Sequence, residues 1–288
     1  MLFRPDKATT SPAPSAPLQP PEQSALTSCG IVGITGAAGV LGRILVQAWE
    51  HQMTLRLFDQ VPLPYLSQHP AQLVDLSDSS KLGNGSLFAG IDALLHLAAE
   101  SRPNTPPERV KQHNFRATRL VYREALAAGV KKVIFASSNW VHELDCKKLL
   151  AQRSTSNSAA PLPLITLHQK SSARTAYGRS KIFGEQAGQA MLVRRGVQFV
   201  ALRIGWVVAS DDPRCHDIPQ MHAMYLSHRD LLQFFAHALL SPLASATAFA
   251  ISDNSGKVFD LTESCQQLNY HPQDNVAHFF TAAHGLQQ

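Results

Sequence analysis

The sequence predicts an α/β fold in which helices cover both faces of a doubly wound parallel sheet. From residue 30 onward, apolar runs of strand length alternate with longer segments of helical period. That alternation is the pattern of a parallel sheet between two layers of helices. The 288 residues are 44% hydrophobic, which is enough for one large core on both faces of a sheet.

Six apolar runs are predicted as strands, with a helix over residues 108–128 between the fourth and the fifth. This helix should end at Gly129, because glycine readily takes the left-handed conformation that closes a helix. Ligands of such sheets collect at the carboxyl ends of the strands, so the residues after each strand are binding candidates. The predicted strands are 31–35, 55–58, a short run ending near Val74, 93–97, 133–136 and 199–204.

A glycine-punctuated turn follows the first strand, with Gly36, Gly39 and Gly42 in the spacing TGxxGxxG. We expect Gly36 to allow a tight turn and Gly39 to let the backbone approach a pyrophosphate. Gly42, where a helix should begin, would pack that helix against the strand. Three loosely spaced glycines can also mark a simple turn. The turn is predicted to bind a dinucleotide as in Rossmann-type folds, together with the residues between its glycines: Ala38, Val40 and Leu41.

An acidic residue ends the second strand, where a dinucleotide needs an acceptor for its adenosine ribose. Asp59 lies seventeen residues beyond Gly42, close to the usual spacing for that role. A carboxylate there would repel a 2′-phosphate, which favours NAD over NADP. Arg56 is expected on the sheet side, away from such a phosphate. A loop aspartate without a ligand is the alternative interpretation.

Small and polar residues follow the later strands. Asp75, followed by Leu76, could accept a hydrogen bond from the adenine amino group, and Ala98 and Ala99, preceded by Leu97, could let a flat cofactor lie on the backbone. Core packing for the alanines and a helix cap for Asp75 are equally good interpretations. The polar residues after the fourth and fifth strands are Ser101, Ser137, Ser138, Asn139 and Trp140.

Tyr177 and Lys181 are four residues apart at the start of a predicted helix. Residues at this spacing share one face of a helix, so both side chains can point into one cleft. An ammonium about 4 Å from the phenol would lower the phenol pKa by roughly three units, toward neutrality. Tyr177 could then act as a general base while Ser138 holds the reacting oxygen. Each residue alone could be structural: a surface lysine, a packed aromatic side chain and a strand-end cap.

Together these motifs resemble the extended short-chain dehydrogenase/reductase superfamily, also called the NAD-dependent epimerase/dehydratase family. The resemblance runs from Gly30 to the C-terminus and rests on TGxxGxxG, Asp59, the HLAA and SS strand ends and YxxxK. It implies a catalytic serine at Ser138, a base at Tyr177 and a lysine at Lys181 that also binds the nicotinamide ribose. It further implies that Asn114 orders an active-site water and the lysine.

Within this superfamily the sequence looks most like uronate dehydrogenases, which oxidise C1 of a cyclic hexuronic acid with NAD. The resemblance implies a substrate site of Ser101, Ser138, Asn139 and positions 140, 206 and 220. Trp140 stands where those enzymes have a substrate-contacting histidine, and Trp206 where they have a serine. Their carboxylate-binding arginine falls near Gln220, and Arg214 could replace it only in a rearranged loop. These differences leave the uronate in doubt and predict a more aromatic pocket.

Residues 1–28 are rich in Pro, Ser, Ala and Thr and are predicted to be a disordered extension. Residues 29–288 are predicted to be one domain. Within it, residues 143–176 would form an insertion that covers the substrate or lies idle on the surface, and residues from about 206 to 288 would form a small C-terminal substrate-binding part. The basic extension leaves organelle targeting open, although its prolines oppose an amphipathic transit helix.

Composition excludes several classes of protein. No apolar run reaches membrane-spanning length, the four cysteines are widely spaced, and the net charge of +5 is spread over short pairs. We therefore expect no membrane, metal or nucleic-acid partner, a reducing compartment such as the cytoplasm, and by analogy a homodimer. The predicted function is an NAD-dependent sugar or sugar-acid oxidoreductase. A nucleotide-sugar epimerase or dehydratase is the enzymatic alternative, and an NAD-sensing regulatory protein the nonenzymatic one.

Overall fold

Seven parallel strands form one sheet in a computed structural model that describes residues 23–102, 105–155 and 162–281. Across the sheet the strands follow the order β3-β2-β1-β4-β5-β6-β7, so the direction of winding reverses between β1 and β4. A crevice opens at such a reversal, above the carboxyl ends of the strands. The strands are β1 (Ile31–Thr35), β2 (Thr54–Asp59), β3 (Ala71–Leu73), β4 (Ala93–His96), β5 (Lys132–Ser138), β6 (Gln198–Ile204) and β7 (Ser245–Ala250).

Helices cover both faces of the sheet. The helical part of the segment between β4 and β5, residues 107–127, includes a π-helical stretch, Lys111–Arg116. Short 3-10 turns occur at Asn139–His142, Val193–Arg195 and Pro213–His216. The α-helices are α1 (Gln23–Thr27), α2 (Val40–Trp49), α3 (Pro107–Val110), α4 (Ala117–Ala127), α5 (Glu143–Thr155), α6 (Ala176–Met191), α7 (Pro219–Met224), α8 (His228–Leu240), α9 (Thr262–Leu268) and α10 (Ala277–Thr281).

Strand β5 shows how the two faces are built. All seven of its residues are buried, and alternate side chains enter opposite cores because side chains in a strand alternate between faces. Ile134 packs into the core that contains α2 and α8, and Phe135 into the core that contains α4. Helix α6 can lie directly on this second core because Gly184 has no side chain: a Cβ atom there would lie 2.2 Å from the Phe135 ring.

The predicted fold class is confirmed, and each predicted strand agrees with an observed strand to within two residues at either end. Gly129 closes α4 with a φ of 75°, as expected for a glycine cap. Strand β7, with the sequence SATAFA, was not predicted because Phe249 is its only large apolar residue. Helix α2 begins at Val40, two residues before the predicted start at Gly42.

The N-terminal boundary also differs from the prediction. Residues 23–27 form α1, and Leu26 is buried in the core beside α2 and α8. Residues 23–28, which the sequence assigned to the extension, therefore include a helix that packs on the domain. A single apolar side chain among prolines and serines gives no periodicity from which this short helix could be predicted. The rest of the predicted extension, residues 1–22, lies outside the described residues.

Candidate active site

A cleft of about 840 Å³ lies above the carboxyl ends of the central strands. It brings together every residue predicted for the cofactor, the substrate or catalysis, with the exception of Asn114. The predicted residues that line it are Gly36, Ala38, Gly39, Val40, Leu41, Gly42, Asp59, Asp75, Leu76, Leu97, Ala98, Ala99, Ser101, Ser138, Asn139, Trp140, Tyr177, Lys181, Trp206 and Gln220.

The turn after β1 has no room for side chains at two of its glycines. Gly36 has a φ of 76°, and a Cβ atom there would lie 2.6 Å from the backbone nitrogen of Ala98. A Cβ atom at Gly42 would lie 2.5 Å from the carbonyl oxygens of both Gly36 and Ala37. The turn therefore lies against the β4 loop, and the start of α2 lies against the turn. Backbone groups at a helix N-terminus bind phosphate well.

Two carboxylates border the same end of the cleft. Asp59 Oδ2 accepts a hydrogen bond of 2.9 Å from the backbone nitrogen of Ala38, which fixes the carboxylate beside the glycine turn. Asp75 accepts hydrogen bonds of 2.8 Å from the backbone and the hydroxyl of Ser77, so it also caps its own loop. Arg56 donates to the carbonyl oxygens of Leu87 and Ala89 and is absent from the residues that line the cleft, as predicted.

Ser138, Tyr177 and Lys181 meet where β5 faces α6. The Ser138 hydroxyl accepts a hydrogen bond from the backbone nitrogen of Trp140 and caps the 3-10 turn after β5. Thr175 caps the N-terminus of α6, which places Tyr177 in the first turn. The Lys181 ammonium lies 5.5 Å from the centre of the Tyr177 ring and donates a hydrogen bond of 2.7 Å to the carbonyl oxygen of Ala136.

Burial opposes the expected lowering of the Tyr177 pKa by Lys181. Burial raises the pKa of Tyr177, and a hydrogen bond with Ser138 lowers it by less. Burial also lowers the pKa of Lys181 to about 7, against a smaller opposite effect of the Glu185 carboxylate. Sequence reasoning counted the attraction of the ammonium for the phenolate but not the cost of removing both groups from water.

Asn114 is absent from the residues that line the cleft. It is 3% exposed in the π-helical stretch, a form of helix that is frequent at functional sites. Its Oδ1 accepts from the backbone nitrogen of Glu100 at 2.8 Å, and its Nδ2 donates to the Glu100 carbonyl and the Ser180 hydroxyl, both at 3.0 Å. Asn114 thus joins the β4 loop to the residue before Lys181.

The other end of the cleft is lined by aromatic and amide side chains from distant parts of the chain. Trp140 follows β5, Trp206 follows β6, and Gln220 lies in α7. A backbone hydrogen bond of 2.6 Å from Trp206 to the Met224 carbonyl joins the segment after β6 to α7. Arg214 is exposed and forms an ion pair with Asp212, so it does not take the place of the arginine absent at position 220.

Sequence reasoning missed the contribution of α5 to the cleft. Glu143, Cys146, Lys147 and Leu150, at successive positions on one side of this helix, line it. The spacing of these residues in the sequence, three or four apart, was the available signal. It was obscured because α5 is polar over most of its surface and carries no motif. The described part of the predicted insertion, residues 143–155 and 162–176, therefore includes residues that line the cleft.

Among the helices of the described residues, none combines the length and apolar character needed to cross a bilayer. Within the same parts of the chain, no group of three or more His, Cys, Asp or Glu side chains could hold a metal ion.

The parallel sheet, its winding reversal and the glycine turn define a Rossmann-type α/β protein. The family follows from comparison with known proteins: the family model described as "NAD dependent epimerase/dehydratase family" matches residues 32–234. This chain belongs to that family, and the prediction from its motifs is confirmed.

Individual relatives agree with this assignment. The chain is 30% identical to L-arabinose 1-dehydrogenase (NAD(P)(+)) of Haloferax volcanii, over 85% of this chain and 97% of that protein. It is also 30% identical to uronate dehydrogenase of Pseudomonas syringae pv. tomato, over 84% of this chain and 81% of that protein. The fold is similar to the crystal structure of uronate dehydrogenase from Agrobacterium tumefaciens, with a TM-score of 0.72 at 24% identity and 90% of each chain covered.

Proposed function

We propose that this protein is an NAD-dependent dehydrogenase that oxidises the C1 hydroxyl of a cyclic sugar or sugar acid to a lactone. The observation that carries the proposal is the single cleft in which the glycine turn and Asp59 share walls with Ser138, Tyr177 and Lys181. The names of the relatives, an arabinose 1-dehydrogenase and a uronate dehydrogenase, support sugar oxidation at this position.

The residues at the glycine turn fit a dinucleotide. Gly36 and Gly42 leave the backbone bare beside the N-terminus of α2, which suits a pyrophosphate. Asp59 has fixed carboxylate oxygens for ribose hydroxyls, and its charge would repel the 2′-phosphate of NADP. Bound NAD would supply the hydride acceptor, and the positive charge of its oxidised ring would favour a phenolate nearby.

We assign proton transfer to Tyr177, with Ser138 holding the reacting hydroxyl and Lys181 supplying positive charge. Because burial raises the Tyr177 pKa and lowers that of Lys181, the phenol keeps its proton at neutral pH in the protein by itself. Positive charge that enters the cleft would shift the phenol pKa down. Asn114 is assigned a positioning role through Ser180 and the β4 loop.

The substrate is expected to be a free sugar rather than a nucleotide sugar. Trp140 and Trp206 offer apolar faces on which a sugar ring can stack, and Gln220 and Asn139 offer amides for its hydroxyls. We propose that residues 143–176 cover this end, which the cleft-lining residues of α5 support. Trp206, Val207, Gln220 and Met224 of the C-terminal part form the facing wall.

A panel of sugars, sugar acids and UDP-sugars, followed at the absorbance of NADH, tests the proposal. We expect steady NADH formation with a free sugar or sugar acid and a strong preference for NAD over NADP. Conversion of a UDP-sugar without NADH release would overturn the proposal in favour of an epimerase. NAD binding without turnover of any of these compounds would favour a sensing protein.

We further propose a homodimer, by analogy with related enzymes in which two helices, one of them the YxxxK helix, form the contact. In this chain that helix is α6. Light scattering during gel filtration tests the proposal, and a monomeric mass at micromolar concentration would contradict it.

A further inference from the structure

The substrate end of the cleft contains few charged side chains. Among the described residues that line this end, Glu143 and Lys147 come from α5 and Arg102 from the loop after β4. Glu100, closer to the cofactor end, already pairs with Arg109 at 2.7 Å. Any charge on the substrate that these residues recognise would therefore face a lysine, an arginine and a glutamate.

Both carboxylate oxygens of Glu143 accept hydrogen bonds from within the protein. Its Oε2 accepts hydrogen bonds from the backbone nitrogens of Arg174 and Thr175, at 3.0 and 2.9 Å, and its side chain is 5% exposed. Burial alone would raise its pKa, but hydrogen bonds from Lys147, Thr175 and Arg174 outweigh burial and lower the pKa to about 2. Glu143 is therefore an anchored anion at the base of α6, and its other oxygen holds Lys147.

Lys147 keeps donors for a ligand. Its ammonium lies 2.8 Å from Glu143 Oε1 and 5.7 Å from the centre of the Trp140 ring. An ammonium has three donors, and in the described part of the chain Glu143 is its hydrogen-bonding partner. The ring and the carboxylate hold the cation above Trp140, whose backbone nitrogen donates to the Ser138 hydroxyl at 3.2 Å.

We propose that Lys147 is a specificity residue that binds an oxyanion on the substrate, so that the enzyme prefers sugars with a carboxylate or a phosphate remote from C1. This inference rests on the proposed dehydrogenase function. Lys147 supplies, from α5, the positive charge that Gln220 does not supply from α7. A carboxylate and a phosphate share the same chemistry toward an ammonium, and the experiment separates them.

The competing explanation is structural. Glu143 and Lys147 are four residues apart on α5, an arrangement that stabilises a helix without any ligand. In that case, replacing Lys147 would change the melting temperature but not the choice among substrates. Discrimination between charged and neutral sugars is therefore the informative measurement.

The experiment compares Lys147→Met with Lys148→Met, which removes an equal charge from the neighbouring exposed position on α5. Steady-state kinetics with NAD use galactose, galacturonate and galactose 6-phosphate. Removal of a charge-assisted hydrogen bond should raise KM for the preferred oxyanionic sugar about tenfold to one-hundredfold. KM for galactose should rise far less than KM for the charged sugar, Lys148→Met should leave kcat and every KM unchanged, and Lys147→Arg should retain the preference. The charged sugar whose KM rises more, galacturonate or galactose 6-phosphate, shows whether Lys147 binds a carboxylate or a phosphate.

Three kinetic results would overturn the proposal. In the first, Lys147→Met has the same kinetics as Lys148→Met. In the second, Lys147→Met raises KM equally for galactose and for the charged sugars. In the third, Arg102→Gln rather than Lys147→Met raises KM for the charged sugar. A binding measurement separates this inference from the proposed function, because the fluorescence of Trp140 and Trp206 can report on a ligand without turnover. If no sugar yields NADH, the proposed function fails, but weaker quenching by the charged sugar in Lys147→Met would still support the role of Lys147. No binding of either charged sugar to the wild-type protein would refute it.

Discussion

The two ends of the cleft are built in different ways. The cofactor end consists of a glycine turn and strand ends, where backbone atoms approach so closely that a Cβ at Gly36 or Gly42 would collide with other backbone. The substrate end consists of side chains from α5, α7 and the segments after β5 and β6. Backbone geometry determines the cofactor end, and side chains from four separate segments determine the substrate end.

This difference predicts which substitutions disturb the fold and which do not. Backbone contacts to a dinucleotide need particular glycines, so a substitution there disturbs the fold and the cofactor together. Side chains such as Trp140, Trp206 and Gln220 can change without disturbing the sheet below them. We therefore expect substitutions at the two ends to affect different measurements, and the four predictions that follow test that separation.

The largest expected effect is that of Tyr177→Phe, at the junction of the two ends. Loss of the proposed base should lower kcat about 10²- to 10⁴-fold. Calorimetric NAD affinity should stay unchanged, because the phenol is not part of the glycine turn. An unaltered kcat with a normal melting temperature would remove Tyr177 from proton transfer and with it the proposed mechanism.

The second prediction concerns Lys181 and pH. Burial lowers its pKa to about 7, well below the unfolded value of about 10.4. Between these values the unfolded chain binds more protons than the folded one, so this lysine makes stability rise with pH over that range. At pH 7 the burial of Lys181 costs on the order of 4 kcal/mol.

Replacing this lysine should therefore stabilise the protein while it abolishes turnover. Lys181→Met should raise the free energy of unfolding at pH 7 and flatten its increase toward pH 10, as measured by urea unfolding across that range. Lys148→Met, on the exposed side of α5, serves as the control and should leave the pH dependence unchanged. A Lys181→Met protein with the wild-type pH dependence would show that Lys181 titrates normally.

The third prediction concerns the cofactor end alone. Gly42→Ala would place a Cβ 2.5 Å from two carbonyl oxygens of the turn, and the turn would have to move. Overpacking of this size should weaken NAD binding about tenfold to one-hundredfold by calorimetry, with KM for the sugar unchanged at saturating NAD. In Gly256→Ala the nearest atom would be 3.9 Å away, so that control should bind NAD normally. Normal NAD affinity in Gly42→Ala would contradict the backbone account of this end.

The smallest effect is expected at the substrate end. Gln220→Arg adds a bidentate cation to α7 and should lower KM for galacturonate about threefold to tenfold, without change in NAD affinity. Gln266→Arg adds the same charge at an exposed position of α9, away from the cleft, and is the control. If both variants lower KM equally, the effect is one of overall charge rather than of the site.

The predictability of the site from sequence follows the same division. Gly36, Asp59 and Tyr177 lie in short motifs whose spacing is set by one turn or one helix, and they were predicted correctly as residues of one cleft. Lys147 lies in no motif and reaches the cleft because α5 packs beside Trp140. Asn114 was predicted to order an active-site water and Lys181, and only the structure shows that its hydrogen bonds join Glu100 to Ser180. Strand β7 escaped prediction because five of its six residues are small Ser, Ala or Thr side chains.

The sequence alone determined the doubly wound sheet, the dinucleotide turn and the family, because each depends on local periodicity or on residues close together in the chain. Tertiary structure decided that α5 supplies a charged wall and that Arg214 is paired elsewhere. It also decided that burial raises the pKa of Tyr177 and lowers that of Lys181. These features depend on packing between segments far apart in sequence, and on the loss of water around buried groups, which no local pattern records.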